Sequence, residues 1–328
     1  MKHHKICIDL GTVNTLIWVD SSSSIVFNEP TVLTIDNQTK EVLEIGYLAG
    51  KMAGKTPYNV DVIFPLRDGV IADLDAVLMF LKTAIKNLHL GKLLRGSEFY
   101  LATPSDITPV EQKAIVDLAS QLGAKKISID AEAKMAALGA GVDIYSPHGS
   151  LVMDIGGGTT DVAVIALGEI VVTKANHVGG NAFNLAIKKY LRSQYHLIIG
   201  EKTAEYIKMK VGTVVKPEND VLLEVNGRDV LTGLPHSVII SSNDIYKSLV
   251  PLANELADLV TETLEETPPE ISSDIARSGM ILSGGGALLK GLREFLGEKL
   301  SIPIHLTPYP LESVVQGLAQ VATSGKNK

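Results

Sequence analysis

Two short stretches hold the residue types that grip phosphate. Asp9-Leu10-Gly11-Thr12 follows the apolar run Ile6-Cys7-Ile8, and Asp154-Ile155-Gly156-Gly157-Gly158-Thr159-Thr160-Asp161 follows Leu151-Val152-Met153. Backbone N–H groups turned inward at a tight glycine turn bind phosphate oxygens, and Thr hydroxyls add donors. A carboxylate repels phosphate. It suits magnesium instead, which takes one or two carboxylates and fills its other positions with waters and phosphate oxygens. Asp9 and Asp154 are therefore candidate magnesium-side carboxylates beside one nucleotide. Taken alone, Asp9-Leu10-Gly11-Thr12 is better explained as a plain hairpin. Three consecutive glycines are harder to explain that way, because they cost stability unless a ligand or another backbone comes close. The recurrence of the pattern favours two related lobes, each offering one turn to a shared cleft. A third run, Ser283-Gly284-Gly285-Gly286-Ala287, joins a strand to a helix. It suits nucleotide contact through backbone amides or close packing of helix on strand, with the two readings about even.

Such turns need a scaffold to aim them. The chain has 328 residues, more than one hydrophobic core commonly serves, so two lobes are expected. Hydrophobic residues at 45% and charged residues at 20% fit a compact soluble chain. The formal net charge of −7 argues against nucleic acid as a partner, since phosphate backbones are bound by basic faces. Cys7 is the single cysteine. It excludes an internal disulfide framework, reads as a small residue in a buried strand and fits a reducing cytoplasm. Met1-Lys2-His3-His4-Lys5 runs directly into strand-like sequence with no signal-peptide core. No stretch approaches the ~20 apolar residues of a spanning helix, so a cytoplasmic chain is expected, with contact at a membrane surface left open.

Strand-like runs and helical spacing alternate, as in an α/β chain. Strands are expected at residues 6–9, 15–19, 25–27, 31–35, 99–102, 126–129, 150–155, 161–166 and 280–283. Helical spacing covers 74–88, 134–138, 203–211 and 244–264, and a further helix is expected over 287–299. Thr108-Pro109-Val110-Glu111 is a capping box with proline at the first helical position, and starts a helix to about residue 121. Asn181 is expected to cap a helix to about residue 195. The aperiodic segment 29–65 reads as a small insertion, and 324–328 as a frayed tail.

Together these residues resemble a known family. Asp9-Leu10-Gly11-Thr12-Val13-Asn14-Thr15, Asp68-Gly69-Val70-Ile71-Ala72-Asp73, segment 154–161 and segment 283–292 are similar to the actin/Hsp70/sugar-kinase superfamily. Within it the chain resembles the MreB family of bacterial actins. Asn28-Glu29-Pro30-Thr31-Val32, Thr56-Pro57-Tyr58-Asn59, Pro104-Ser105-Asp106-Ile107-Thr108 and Gly200-Glu201-Lys202-Thr203-Ala204-Glu205 match that pattern in order, over nearly the whole chain. The resemblance implies an actin-like fold of two duplicated large subdomains, each with a small inserted one, and a nucleotide in the cleft between. The corresponding ranges are 1–28, 70–141 and 309–328 for subdomain IA, 29–69 for IB, 142–180 and 242–308 for IIA, and 181–241 for IIB.

It also implies ATP or ADP with Mg2+ as cofactors. ATP-dependent assembly into double protofilaments follows, against the inner face of the cytoplasmic membrane, with other MreB paralogues and cell-shape proteins as further partners. By the same resemblance Asp9 and Asp154 are the magnesium carboxylates. Gly11, Thr12, Val13 and Asn14 form the first phosphate turn, and Gly156, Gly157, Gly158, Thr159 and Thr160 the second. Gly180, Glu205 and Lys208 contact the nucleotide, and Gly284, Gly285 and Gly286 face it from the other side. Hydrolysis falls to Glu132 and Thr159, Glu132 orienting the attacking water. In-line attack on a γ-phosphate needs such a water and little covalent help. From residue type alone Glu132 is a solvated helix-start Glu, Glu111 competes but already serves the capping box, and Glu205 with Lys208 is a surface ion pair.

Four positions depart from the family pattern. Ala133-Lys134 follows Glu132 where the family has Pro and an apolar residue, which puts the geometry and proton affinity of Glu132 in question. Gly179-Gly180-Asn181 replaces Gly-Gly-Asp, and Ala182-Phe183-Asn184 replaces a more acidic run. Tyr309-Pro310-Leu311 replaces Asp-Pro-Leu. The N-terminus is too short for an amphipathic membrane helix. Leu90-Gly91-Lys92-Leu93-Leu94-Arg95 offers an alternative membrane patch, or leucines folded onto the core. The competing functions are a small-molecule kinase, for which no sugar-site insertion is evident, and a chaperone-like ATPase, which needs a substrate domain after the nucleotide domain.

Overall fold

The structure, a computed structural model, describes residues 4–94 and 96–324. Strand Lys5–Leu10 is apolar at Ile6, Cys7, Ile8 and Leu10 because both faces are covered. Side chains alternate across a strand. Ile6, Ile8 and Leu10 enter the core of the first lobe, and Cys7 points the other way into a core shared between lobes. Ser150–Ile155 repeats this: Leu151, Met153 and Ile155 enter the second lobe and Val152 the shared core. By the same parity Asp9 and Asp154 face the space between the lobes.

The duplication extends to whole sheets. In the first, the order is Lys126–Ala131, Glu98–Thr103, Lys5–Leu10, Asn14–Val19, Ser24–Pro30. In the second it is Ile304–Leu306, Met280–Ser283, Ser150–Ile155, Thr160–Ala166, Glu169–Asn176. Each pairs its first three strands in parallel and the rest antiparallel. This is the two-lobed α/β, actin-like fold. Two small antiparallel sheets are added: Val42–Ile45 with Leu33–Asp36 and Val60–Ile63, and Leu197–Ile198 with Leu222–Asp229 and Pro235–Ser241.

Helices Glu132–Gly139 and Ser313–Ser324 lie between the large sheets and supply half of the shared core's buried residues, Met135, Ala136, Val315 and Leu318 among them. They cross with their backbones touching. A Cβ on Gly139 would stand 1.8 Å from the Ser313 carbonyl oxygen, and one on Gly317 2.0 Å from that of Met135. Only glycine permits this approach.

The capping box forms: Thr108 Oγ1 accepts from the Glu111 N–H at 3.3 Å, and Glu111 Oε2 accepts from the Thr108 N–H at 2.9 Å. Three expectations change. Asn181 caps nothing; the helix is Gly180–Tyr195, with Gly179 as its N-cap and no side-chain cap. The helix expected over 287–299 is a 3-10 turn, Gly285–Leu288, followed by Leu292–Leu300, because Gly291 at φ +80° breaks the helical path. Helices Pro269–Ser278 and Ser313–Ser324 and strand Glu169–Asn176 were not anticipated.

In the patch considered for the membrane, Leu90 and Leu94 are buried in the first-lobe core. They fold inward, which removes two of its three leucines. Arg95 and the side chains of Lys92 and Leu93 lie outside what the structure describes, as do residues 1–3 and 325–328. Among the described residues no helix is long and apolar enough to cross a membrane.

Candidate functional site

The first turn is closed by its own backbone and held from behind. The Gly11 N–H donates to the Asn14 carbonyl at 3.1 Å. Thr31 then buttresses it, its N–H donating to the Val13 carbonyl at 2.8 Å and its hydroxyl to the Gly11 carbonyl at 2.7 Å. The second turn has the same closure, the Gly156 N–H donating to the Thr159 carbonyl at 2.8 Å. It is backed by the start of helix Gly180–Tyr195, where the N–H groups of Gly180 and Asn181 donate to the carbonyls of Gly156 and Gly157 at 3.0 and 2.8 Å.

The two turns meet. A Cβ on Gly157 would lie 2.1 Å from Val13 Cγ2, and one on Gly158 would lie 2.7 Å from Thr12 Oγ1 and 2.8 Å from Asp68 Cα. The three-glycine run thus brings backbone close to backbone across the lobes. Thr12 Oγ1 also accepts from the Gly69 N–H at 2.9 Å, which fixes hairpin Leu66–Arg67 and Val70–Ile71 over the same end.

Beneath and beside the turns runs a cavity of about 490 Å³. Asp9, Gly11, Thr12, Val13, Asn14, Glu132, Asp154, Gly156, Gly157, Gly158, Thr159, Gly180, Glu205, Lys208, Gly284, Gly285 and Gly286 all line it. Thr160 does not. Its side chain is fully buried and its hydroxyl donates to the Val178 carbonyl at 2.7 Å. Thr15 is its counterpart in the first lobe, equally buried and bonded to Thr31. Both belong to the scaffold.

The end of the cavity beneath the two turns is strongly acidic. Burial, and then the charge of Asp154, pushes the Asp9 carboxyl up to about 7. Burial pushes Asp154 up to about 7 as well, and Asp154 Oδ1 has no hydrogen-bond partner. Glu132 is raised well above the ordinary carboxylate value by burial and then by Asp161, Asp9, Asp154 and Asp106. All four of these charges are negative. Lys134, whose arrival beside Glu132 was a concern, turns its amine to Asp130 at 3.5 Å. Ala133 is fully buried in the shared core.

At the other end Glu205 is prepared by its neighbours. Its Oε2 accepts from Asn184 Nδ2 at 2.7 Å and from Lys208 Nζ at 2.8 Å, and Lys208 also donates to the Gly180 carbonyl at 3.1 Å. Met209, Gly212, Leu289, Lys290, Pro310 and Leu311 complete this end. Sequence reasoning gave none of them a role, although Leu289, Lys290, Pro310 and Leu311 fall within segments named above. The departure at Tyr309-Pro310-Leu311 is accommodated through backbone, the Pro310 carbonyl accepting from the Gly284 N–H at 3.1 Å. Thr31 and Asp161 were visible within quoted motifs but were given no role.

Known proteins match this arrangement. The MreB/Mbl protein family matches residues 3–328. The cell shape-determining protein Mbl of Bacillus cereus is 43% identical over 312 residues, covering 95% of this chain and 93% of that one. Among solved structures, MreB 5 of Spiroplasma citri bound to AMPPNP has a TM-score of 0.94 and 39% identity, covering 99% of this chain and 98% of that one. The MamK double helical filament, at 18% identity and a TM-score of 0.83 over 98% of this chain and 99% of that one, shares the fold. Matched along nearly its whole length in both sequence and structure, the chain belongs to the MreB/Mbl family of actin-like cytoskeletal proteins.

Proposed function

We propose that the chain binds ATP or ADP with magnesium in the inter-lobe cleft, cleaves ATP slowly, and assembles into double protofilaments that govern cell shape. The filaments lie in the cytoplasm against the inner face of the cell membrane and take other MreB paralogues and cell-shape proteins as partners. The division into IA, IB, IIA and IIB at the boundaries given above goes with this reading. One observation carries it: two duplicated Asp-plus-glycine turns and Glu132 converge on a single cavity. The relatives support it, one being a cell shape-determining protein and another being bound to AMPPNP.

The residues fit a magnesium ion. Asp154 Oδ1 is buried without a partner, and Asp9 lines the same cavity. Among the described residues no three His, Cys, Asp or Glu side chains gather to cage a metal. Magnesium needs no such cage, since waters and phosphate oxygens complete its shell. When bound, it neutralises charge on the transferred phosphoryl group. Asp9 and Asp154 would hold it. The glycine turns offer N–H groups to the phosphates, Thr159 offers its hydroxyl, and Glu205 and Lys208 hold the adenosine end. Glu132, with its raised proton affinity, orients the attacking water.

Sedimentation with ATP, with ADP and without nucleotide tests assembly. Polymer is expected with ATP, and a chain that stays monomeric in all three overturns the filament reading. For Glu132→Ala, phosphate release should fall about 100-fold or more, with ATP binding retained. Unchanged turnover would remove Glu132 from the mechanism.

A further inference from the structure

The duplicated scaffold breaks its symmetry at one buried position. Asp9 pairs across the first hairpin with Leu16, and Asp154 pairs across the second with Asp161. Leu16 packs into the shared core. Its counterpart Asp161 is a carboxylate only 1% exposed, although the same fold is satisfied by leucine in the other lobe. Burying a charge there is costly unless it meets a donor. The donor comes from the opposite lobe: the Ser105 N–H gives Asp161 Oδ1 a hydrogen bond of 2.7 Å. Ser105 follows strand Glu98–Thr103 of the first sheet, and Asp161 lies at the start of strand Thr160–Ala166 of the second.

This bond is anchored at both ends to elements of the phosphate site. Asp161 follows Thr159 and Thr160 directly. Its charge is also the largest influence on Glu132 after burial itself. Ser105 stands in the loop whose Pro104 packs beside Gly69 and which ends at Thr108, the cap of helix Pro109–Gln121.

We propose that Asp161 is a positioning residue: through the Ser105 N–H it latches the two lobes together behind the phosphate turns and so holds Glu132 over the nucleotide. The latch does not touch the adenosine end, so its loss acts on turnover and leaves nucleotide affinity largely intact. The turnover part rests on the ATPase reading above. The latch itself does not, and can be read in the nucleotide-free chain.

The test compares Asp161→Ala, which deletes the acceptor, with Asp161→Asn, which keeps an oxygen for Ser105 but removes the charge. Hydrogen–deuterium exchange is followed at Ser105, and phosphate release and ADP affinity are measured with magnesium present. In Asp161→Ala the Ser105 amide should exchange at least about tenfold faster and phosphate release fall by about tenfold, with ADP affinity within about threefold of wild type. Asp161→Asn should restore both to within about threefold. Unchanged Ser105 exchange in Asp161→Ala, or Asp161→Asn as impaired in exchange as Asp161→Ala, overturns the latch. Faster exchange with unchanged turnover overturns its positioning role. A wild-type chain that does not cleave ATP sinks the ATPase reading, while the exchange comparison still decides the latch. Should Asp161→Ala fail to fold, Asp161→Asn remains decisive: loss of Ser105 protection in it overturns the proposal.

Discussion

Thr159 and Thr160 are neighbours in the chain with opposite duties. Thr159 faces the cleft, and Thr160 faces the scaffold, donating to the Val178 carbonyl. Replacing Thr160 with valine keeps the shape and strands a buried carbonyl. It should cost about 1–3 kcal/mol of stability and leave nucleotide affinity unchanged, as checked by thermal melting and by nucleotide titration. A large loss of affinity at unchanged stability would return Thr160 to the binding site. The sequence made Asp9 and Asp154 legible because a strand-end Asp before glycine is a local signal. It hid the difference between Thr159 and Thr160, which depends on which side of a strand each faces. The equivalence of Thr15 and Thr160 held that information, since Thr15 has the same place in a turn with fewer glycines. Met209 was out of reach, and Lys290 and Pro310 stood in named segments without a role, because only the tertiary fold brings the three to one cavity.

Elements were legible where their ends carry chemistry. The capping box at Thr108 set the start of its helix correctly, and glycine turns set the ends of strands. The helix Ser313–Ser324 left no such trace. Its buried residues include Val314, Val315, Gly317, Leu318 and Ala322, and its polar stripe is only the uncharged Gln316, Gln320 and Thr323, a helical period with no charged residue to mark it. Its value lies in the crossing with Glu132–Gly139. Gly317→Ala places a methyl group 2.0 Å from the Met135 carbonyl oxygen, a distance that forces the helices apart. The expected cost is at least about 3 kcal/mol, measured by denaturant unfolding. Because Glu132 begins the displaced helix, phosphate release should fall with it. Wild-type stability in this variant would show that the crossing is loose.

At the scale of the whole molecule, the acidic cleft ties stability to pH. Asp9 and Asp154 rise from an ordinary value of 3.8 to about 7, so the folded chain holds more protons than the unfolded chain between these limits. Stability from these groups is complete below the unfolded value and is lost as pH rises through the folded value. The metal-free, nucleotide-free chain should therefore melt at a lower temperature at about pH 8 than at about pH 5. Magnesium nucleotide should recover more stability at the higher pH, because its ligands must be deprotonated. Asp154→Asn should flatten the slope, and an unchanged slope in that variant would assign the pH dependence to other groups.

The chain's route through the two lobes has a consequence for synthesis. It begins in the first lobe, builds the second, and returns, so that Ser313–Ser324 completes the layer shared by both, where the Lys5 amine meets the Ala322 carbonyl. On the ribosome the second lobe has all five strands of its large sheet once Leu306 has emerged. The face of the first lobe that holds Cys7, Trp18 and Tyr100, although made earlier, shares its core with Val314, Val315, Leu318 and Ala322, so its cover is complete only when that helix is made. The nascent chain therefore carries part of this apolar face uncovered until then, and the inter-lobe cavity, lined in part by Pro310, Leu311 and Val314, is completed with it.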